Sequence, residues 1–485
     1  MECHPRSDKI MASTGGKGMS LSALVLAAGE GTRMKSRLPK VLHRVCGRPM
    51  IAWVLGALED LKKEGVLQRV LVVVGNGGEE VEKLVGGAAE CVFQEERKGT
   101  GHAVMTAAPL IREEEVLVLT GDSPLITSGT LRRLCLLHRS SGAAVTILGT
   151  VMDDPTGYGR IRRDDAGKVL GIVEECQATE EEKRIREVNT STYVFDWSLL
   201  SGVLPRLKAD NVKGEYFLTD AVSILAGEGK RLATLITEDP DEVMGVNSRY
   251  DLARAEAVMR QRINRRWMEE GVTMEDPSTV YIGAEVTLGR DTLLRPMVIL
   301  EGKTVVGEGC VLGPGVRIED SRLGNGVVAE QAVIRGSELE DGVTVGPYAS
   351  LRPGTVLRAA AKAGTFVEIK KTVVGRGSKI PHLSYMGDAD IGEGVNVGAG
   401  SITCNFDGVS KHRTVIEDRA FIGSDTMFVA PVRIGEGAVT GAGSTISKDV
   451  PPGALAVERS PQKNIPGYGK RKGKEEAVGL EGDNS

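Results

Sequence analysis

A small aliphatic residue returns every six positions between about Val280 and Ile446, and glycine usually follows it. Neither a helical period of 3.6 residues nor simple alternation produces this pattern. It is typical of a parallel β-helix, in which each hexad supplies a short strand and a turn. One coil cannot bury its own apolar face, so only a stack of coils is stable. The clearest hexad positions are Val306, Leu312, Ile318, Val345, Leu351, Leu357, Ala363, Ile391, Val397, Ile416, Ile422, Phe428, Ile434, Thr440 and Ile446.

A different pattern runs from Ser22 to about Val246, where apolar runs of strand length alternate with helical segments. Continuous apolar strands separated by helices predict an α/β domain with a mostly parallel sheet covered on both faces. Ligands of such sheets bind at the carboxyl ends of the strands. The predicted strands are 23–27, 70–74, 116–119 and 144–148, and two of the predicted helices are 50–63 and 101–110.

An amphipathic stripe between Tyr250 and Glu270 predicts a single helix that joins two domains. Its arginines favour a solvated face over a nucleic-acid site. The predicted organisation is a disordered extension (1–20), an α/β domain (21–249), a linker helix (250–270), a β-helix domain (271–460) and a flexible, partly basic tail (461–485).

Composition excludes several classes of protein. A net charge of −5 argues against nucleic acid as a partner. No apolar run approaches the roughly 20 residues of a spanning helix, so no membrane partner is expected. The 7 cysteines are scattered and include no Cys-x-x-Cys pair, which predicts a reduced, cytoplasmic protein without structural zinc.

The turn after the first strand, 27–34, has the sequence Ala-Ala-Gly-Glu-Gly-Thr-Arg-Met, and Leu-Pro-Lys follows at 38–40. The glycine spacing fits neither a Walker A loop nor a dinucleotide fingerprint. Glycines nevertheless let backbone N–H groups approach an anionic oxygen, and Arg33 and Lys40 supply two cations. The stretch predicts a triphosphate site.

Asp122 follows the apolar strand 116–119 directly, at the sheet edge where ligands bind. A hard cation such as Mg²⁺ prefers one or two protein oxygens plus phosphate oxygens. Asp122 is therefore a candidate metal ligand.

Polar residues gather where the hexads are interrupted. Arg352 and Lys370 are a cationic pair suited to a sugar phosphate. His382 is suited to act as a general base on an amine. The adjacent Cys404 is a weaker alternative as an acyl-accepting nucleophile, since no basic partner lies near it in sequence.

The phosphate turn is similar to the signature of the sugar-nucleotide pyrophosphorylases. Together with the hexads, the chain from about Ser22 to Pro461 resembles the bifunctional GlmU family. That family joins a glucosamine-1-phosphate N-acetyltransferase to an N-acetylglucosamine-1-phosphate uridylyltransferase. The resemblance implies a left-handed β-helix, a homotrimer, Mg²⁺ as cofactor, UTP and acetyl-CoA as co-substrates, and a product that feeds peptidoglycan and lipopolysaccharide precursors.

The resemblance also implies residue roles. UTP and its product would contact Leu26, Ala27, Ala28, Gly29, Lys40, Gln94, Gly99, Thr100, Gly159, Glu174, Asn189 and Asn247, with Asn247 as second metal ligand. Tyr385 and Asn396 would join Arg352 and Lys370 around glucosamine-1-phosphate. Acetyl-CoA would contact Ala399, Asn405, Phe406, Ser424, Ala442 and Arg459. Ser191 and Phe406 depart from the glycine and tyrosine common in the family.

Two alternatives stay open. The chain could be a pyrophosphorylase alone, with the β-helix as a structural module, or a UDP-sugar enzyme specific for another hexose. The group of His382, Arg352 and Lys370 and the length of the hexad array favour the bifunctional interpretation, because a scaffold needs neither.

Overall fold

The computed structural model describes residues 19–75, 77–211 and 214–468. The chain divides into two compact units at Ile263/Asn264, inside a helix that runs Arg249–Glu269. The extension predicted for residues 1–20 falls outside the described residues up to residue 18, and so does the tail from residue 469, including its basic run.

The first unit contains a sheet of nine strands in the order β11-β7-β10-β6-β1-β4-β5; β8 also pairs with β10, and β9 pairs with β8. Its strands are β1 Leu21–Ala27, β2 Arg44–Val45, β3 Arg48–Pro49, β4 Arg69–Val74, β5 Glu90–Phe93, β6 Glu115–Thr120, β7 Val145–Val151, β8 Gly159–Arg163, β9 Val169–Val173, β10 Glu187–Asp196 and β11 Leu232–Thr237; β2 and β3 form a separate hairpin. The helices are α1 Met50–Lys63, α2 Gly78–Val85, α3 Thr100–Ala107, α4 Ser128–Ser141, α5 Trp197–Val203, α6 Leu218–Gly227 and α7 Arg249–Glu269.

The predicted parallel sheet is confirmed. Strands β4, β1 and β6 pair in parallel, as do β5 with β4 and β11 with β7. Two apolar clusters cover opposite faces, one including Leu24 and Val118 and the other Val25 and Leu119. Alternate residues of one strand therefore point to different cores, which explains the continuous apolar runs. The sequence did not predict that β10 runs antiparallel to β6 and β7.

The second unit is a parallel β-helix with three walls, which confirms the prediction from the hexads. The first wall contains Thr273–Met274, Leu293–Leu294, Val311–Leu312, Val328–Ala329, Thr344–Val345, Lys362–Thr365, Lys379–His382, Asn396–Val397, Phe421–Ile422, Val439–Thr440 and Leu455–Ala456. The second contains Tyr281–Ile282, Ile299–Glu301, Arg317–Glu319, Val333–Arg335, Ser350–Leu351, Glu368–Lys370, Tyr385–Gly387, Ile402–Cys404, Met427–Val429 and Thr445–Ile446. The third contains Thr287–Leu288, Val305–Val306, Arg322–Leu323, Glu338–Leu339, Val356–Leu357, Val373–Val374, Ala389–Ile391, Thr414–Ile416 and Val432–Ile434.

The interior of the coils is filled by the predicted hexad positions. The 15 residues named above are all buried, and the most exposed of them, Ile446, has only 4% of its surface accessible. Glycine follows many of them because successive coils approach closely. A Cβ on Gly307, which follows Val306, would lie 2.6 Å from the carbonyl oxygen of Gly324 in the next coil. The period of six therefore reflects both the buried aliphatic residue of each hexad and the close contact of the following glycine with the next coil.

Among the helices of the described ranges, none is both long enough and apolar enough to cross a membrane.

Two candidate active sites

The first site begins at the carboxyl edge of the parallel sheet. Strand β1 ends at Ala27, and the chain turns through a 3₁₀ helix at Thr32–Met34. Gly31 has φ 62°, a left-handed conformation, and a Cβ there would lie 2.7 Å from Cβ of Lys40. Glycine at this position therefore permits both the turn and the close approach of Lys40. Arg33 is exposed on the turn.

Lys40 lies between the two predicted metal ligands. Its ammonium group forms an ion pair with the Asp122 carboxylate and donates to Asn247 Oδ1 at 3.2 Å. Both members of the ion pair are largely buried, with side chains 13% and 14% exposed. One cation thus reaches two oxygens that are 125 residues apart in sequence (247 − 122). This donor set, a carboxylate and an amide oxygen, fits a hard divalent cation completed by phosphate oxygens.

The backbone holds both oxygens in place. Val246 N donates to the Asp122 carbonyl oxygen at 2.9 Å, which ties the segment before α7 to the end of β6. Asp251 Oδ2 accepts from the backbone N–H groups of Asn247 (3.1 Å) and Ser248 (2.9 Å). Ser248 Oγ in turn accepts from Asp251 N, which completes a reciprocal cap of α7. The helix start therefore positions Asn247.

The predicted base contacts lie after β5. Gln94 is buried, and Thr100 opens α3. Gly99 has φ 98°, and a Cβ there would lie 2.6 Å from the carbonyl oxygen of Tyr216. Tyr216 N donates to Lys98 O at 2.7 Å, and Tyr216 O accepts from Gly101 N at the same distance. The segment before α6 therefore clamps this loop, a contact that no pattern in the sequence predicts.

The predicted sugar contacts also come together. Asn189 pairs with Gly159 across β10 and β8. A Cβ on Gly159 would lie 3.5 Å from Glu174 Oε2, so this carboxylate lies close to Gly159. Ser191 has φ 57°, and its N–H donates to Asn189 Oδ1 at 3.2 Å. The left-handed conformation explains why glycine suits this position, and serine keeps the turn at some conformational cost.

Several residues of the second site lie on or next to the second wall of the β-helix. Arg352 pairs with Glu368 at 2.9 Å, and Arg352 N donates to Ile369 O, which places it beside Lys370 in the next coil. The side chain of Lys411 approaches that of Lys370 and lowers the pKa of Lys370, because a second positive charge disfavours the protonated form. Three cations therefore converge, and their mutual repulsion is relieved by an anion. Lys411 was not among the predicted residues.

Tyr385 and Asn405 lie over Gly387, the residue that follows Met386 on the same wall. A Cβ on Gly387 would lie 2.4 Å from the Tyr385 hydroxyl and 2.7 Å from Asn405 Nδ2. Asn405 Nδ2 donates to Asp388 Oδ2 at 2.6 Å. The absent side chain thus leaves room for two polar groups beside Lys370, which pairs with Gly387 in register.

Four of the predicted acetyl-CoA residues, Ala399, Ser424, Ala442 and Arg459, lie in a column along one corner of the β-helix. His382 O accepts from Gly400 N (3.4 Å), Ala399 O from Asp425 N (2.7 Å) and Ser424 O from Gly443 N (2.8 Å). Arg459 Nη1 then donates to Ala442 O at 2.8 Å. Each coil contributes one turn, so residues up to 77 positions apart in sequence (459 − 382) line one edge. His382 is exposed at the start of this column.

Asn396 and Phe406 lie on separate parts of the second site. Asn396 pairs with Lys379, one coil beyond His382. Phe406 is 58% exposed on the loop between Cys404 and Thr414, a loop that also carries Lys411. Lys411 could have been noticed in the sequence only as a basic residue inside an insertion between hexads.

No group of three or more His, Cys, Asp or Glu side chains in the described part of the chain is arranged to hold a metal ion. A metal bound at Asp122 would therefore depend on Asn247 and on oxygens of the substrate.

Comparison with known proteins assigns the family. The family model of the MobA-like NTP transferase domain matches residues 23–188, and that of the bacterial transferase hexapeptide (six repeats) matches residues 413–448. A solved structure of UDP-glucose pyrophosphorylase complexed with UDP-glucose aligns with 50% of this chain and 100% of its own, at 18% identity and a TM-score of 0.42, which is too distant to add to the assignment.

Three relatives named bifunctional protein GlmU are much more similar. The one from Heliobacterium modesticaldum is 54% identical over 444 residues, which are 91% of this chain and 96% of the relative. Those from Caldanaerobacter subterraneus and Carboxydothermus hydrogenoformans are 50% and 51% identical, over 92% and 93% of this chain and 97% and 100% of their own. The chain therefore belongs to the GlmU family, bifunctional enzymes that make UDP-N-acetylglucosamine by acetylating glucosamine-1-phosphate and then transferring uridylyl to the N-acetylated sugar phosphate.

Proposed function

We propose that the two activities are divided between two domains, with uridylyl transfer in residues 21–249 and acetyl transfer in residues 271–460. The observation that carries this proposal is the corner column of the β-helix that begins at His382. A structural module needs neither an exposed histidine at the head of a column nor a group of three converging cations. Both features fit a site for an amino sugar phosphate and an extended thioester.

In the first domain, the proposed reaction is attack by the phosphate oxygen of N-acetylglucosamine-1-phosphate on the α-phosphorus of UTP, with pyrophosphate leaving. A sugar phosphate is already ionised near neutral pH, so no general base is needed. Arg33 and Lys40 are proposed to neutralise the triphosphate, and the glycine turn after β1 to approach its oxygens. Gln94, Gly99 and Thr100 would bind the uracil, and Gly159, Glu174 and Asn189 the sugar.

Asp122 and Asn247 are the residues that would hold Mg²⁺. The ion would supply charge neutralisation at the phosphates. Support comes from Lys40, whose single ammonium already contacts both oxygens. With nucleotide bound, Lys40 would serve the phosphates instead of these two side chains.

In the second domain, His382 is proposed to accept a proton from the amine of glucosamine-1-phosphate as the amine attacks the acetyl-CoA thioester. Arg352, Lys370 and Lys411 would bind the phosphate, and Tyr385 and Asn396 would orient the sugar. Ala399, Asn405, Phe406, Ser424, Ala442 and Arg459 would line the acetyl-CoA site. An extended thioester fits a column in which each coil adds one turn.

A homotrimer is proposed as the functional assembly. Support comes from an exposed apolar ladder on successive coils of the β-helix, formed by Tyr348 (54% exposed), Phe366 (56%) and Leu383 (63%). The rings of Tyr348 and Phe366 stack with centroids 5.1 Å apart. Leu383 follows His382 directly, so a neighbouring copy packed on the ladder would lie beside the acetyl-transfer site. The cytoplasmic location stays a prediction.

One incubation tests the proposal. Purified protein with glucosamine-1-phosphate, acetyl-CoA, UTP and Mg²⁺ should release free CoA, then pyrophosphate and UDP-N-acetylglucosamine. Nucleotide-sugar synthesis from supplied N-acetylglucosamine-1-phosphate without any CoA release would support the alternative, a pyrophosphorylase with a structural β-helix. Size-exclusion chromatography with light scattering tests the trimer, and a monomer with full acetyl transfer would contradict it.

A further inference from the structure

The side-chain amide of Gln94 is held from two directions. Its Nε2 lies 2.9 Å from Nδ1 of His102 and 3.4 Å from the carbonyl oxygen of Gly99. The side chain is only 3% exposed, so water competes little for these contacts. His102 comes from α3 and Gly99 from the loop before it, so the amide is enclosed by one short stretch of chain.

These two neighbours determine which way the amide points. A backbone carbonyl can only accept, so the atom that faces Gly99 must be the amide nitrogen and not its oxygen. The same nitrogen then faces His102 Nδ1, which must accept as well. This arrangement requires the neutral ring with its proton on Nε2. Both N–H bonds of the amide are thereby engaged, and Oε1, which only accepts, is the atom left to offer a ligand.

His102 is itself well supported. Its ring stacks on Tyr216, with centroids 6.2 Å apart and planes inclined by 29°. The backbone of Tyr216 is the segment that clamps Lys98 and Gly101. In addition, Thr106 Oγ1 donates to the His102 carbonyl one turn away along α3. The His102 imidazole is thus a fixed acceptor next to the Gln94 amide, which would otherwise be free to rotate.

Uracil and cytosine differ at the atom that such an amide would meet. Position 3 of uracil carries an N–H donor, whereas position 3 of cytosine is a bare nitrogen that accepts. An amide oxygen satisfies the first and opposes the second. A rotated amide would offer N–H groups and reverse this preference.

We propose that His102 determines base specificity without touching the nucleotide, by fixing the Gln94 amide so that its oxygen accepts from uracil. This inference rests on the proposed binding of UTP beside Gln94. His102 is therefore a positioning residue, and its loss should change the choice of base more than the rate with UTP.

The test compares two substitutions of His102. His102→Phe keeps a ring to stack on Tyr216 but removes the acceptor, whereas His102→Asn restores an acceptor near the position of Nδ1. Each variant and the parent are assayed for nucleotide transfer to N-acetylglucosamine-1-phosphate from UTP and from CTP. We expect the UTP-over-CTP ratio of kcat/KM to fall about tenfold or more in His102→Phe, because a free amide can serve either base. His102→Asn should recover most of the ratio.

Acetyl transfer in the same preparations reports on correct folding of the rest of the chain. A UTP-over-CTP ratio in His102→Phe equal to that of the parent would overturn the inference. Failure of the proposed uridylyl transfer would look different, since the parent would then transfer neither nucleotide.

A measurement on the unmodified protein decides the hydrogen bond itself. In ¹⁵N-histidine NMR spectra, with the His102 signals assigned by their loss in either variant, we expect the tautomer protonated at Nε2 and unprotonated at Nδ1. A proton on Nδ1 would require the amide oxygen to face His102, and the proposal would be wrong.

Discussion

The two units assemble their sites in different ways. In the α/β unit, Lys40 meets partners 82 and 207 residues away, each at the end of a different element. In the β-helix, contacts within the site join residues one coil apart, such as Asn405 and Asp388, which are 17 positions apart. In the periodic fold, the regular spacing of the coils brings the site residues together. The α/β site depends instead on the whole sheet and on the start of α7.

This difference predicts how each site fails. The two reactions should be separable by single substitutions, because each site is built within its own unit. Damage to coil stacking should remain in the β-helix, and damage to the α/β core should remain in the first unit.

The largest expected effect is at Asp122. Asp122→Ala should abolish Mg²⁺-dependent formation of UDP-N-acetylglucosamine, because it removes the only carboxylate proposed to hold the metal and the ion-pair partner of Lys40. Pyrophosphate release from UTP and N-acetylglucosamine-1-phosphate measures this. Acetyl transfer should be unchanged, and retained uridylyl transfer in the variant would refute the metal assignment.

The corresponding substitution in the acetyl-transfer site is at His382. Removing a general base lowers the rate by about 10²- to 10⁴-fold, so His382→Ala should lower acetyl transfer by that order. A thiol reagent that detects the released CoA measures the rate of acetyl transfer. The uridylyl half-reaction, assayed with supplied N-acetylglucosamine-1-phosphate, is the control. Equal acetyl-transfer rates in variant and parent would remove His382 from its role.

A smaller effect should follow from crowding between coils. In Gly375→Ala, the new Cβ would meet backbone 2.2 Å away in the next coil, so the β-helix should lose about 3 kcal/mol of stability. Gly377→Ala is the matched control: Gly377 has φ +66° and open space, so only conformational strain of about 1 kcal/mol applies. The urea concentration that inactivates acetyl transfer measures the loss of stability in each variant.

The outcome also tests the separation of the units. The urea concentration that inactivates half of the uridylyl transfer should be the same in both variants as in the parent. A parallel loss of both activities in Gly375→Ala would show that the two units do not fail separately.

The smallest expected effect concerns pH. His138 is buried, its Nδ1 lies 3.0 Å from Thr146 Oγ1, and burial lowers its pKa to about 4. The unfolded chain binds a proton near pH 6.5, whereas the folded one does not until about pH 4. Stability should therefore fall as the pH drops through this window, by about 2 kcal/mol between pH 6.5 and 5.

Replacing His138 by Asn keeps a polar group near Thr146 and removes the titration. Urea denaturation at pH 7.5 and pH 5 should show a smaller loss for His138→Asn than for the parent. Equal losses in the two proteins would assign the acid sensitivity to other groups.

Much of the fold could be predicted because it follows from short-range patterns. Val306, Leu312 and Ile318 are buried as their spacing requires, and strands β1, β4 and β6 were visible as apolar runs bounded by polar residues. The antiparallel β10 was not predicted, because an apolar run carries no information about strand direction.

The candidate sites divide in the same way. Asp122 and the phosphate turn could be found because they directly follow strands. Lys411 could not, since its loop interrupts the hexads and its meeting with Lys370 depends on how that loop folds back. His102 was missed because its proposed role depends on a contact with Gln94, eight residues away, that only the turn into α3 creates.

By itself, the sequence determined that one half of the chain is an α/β sheet and the other a β-helix, because burial and glycine contacts repeat with fixed local periods. It also determined which residues carry suitable chemistry. Only the tertiary structure decided that one ammonium reaches both Asp122 and Asn247, that the residues from His382 to Arg459 form a single column, and that the Gln94 amide has one orientation. These depend on distances between segments far apart in the chain, which local pattern cannot encode.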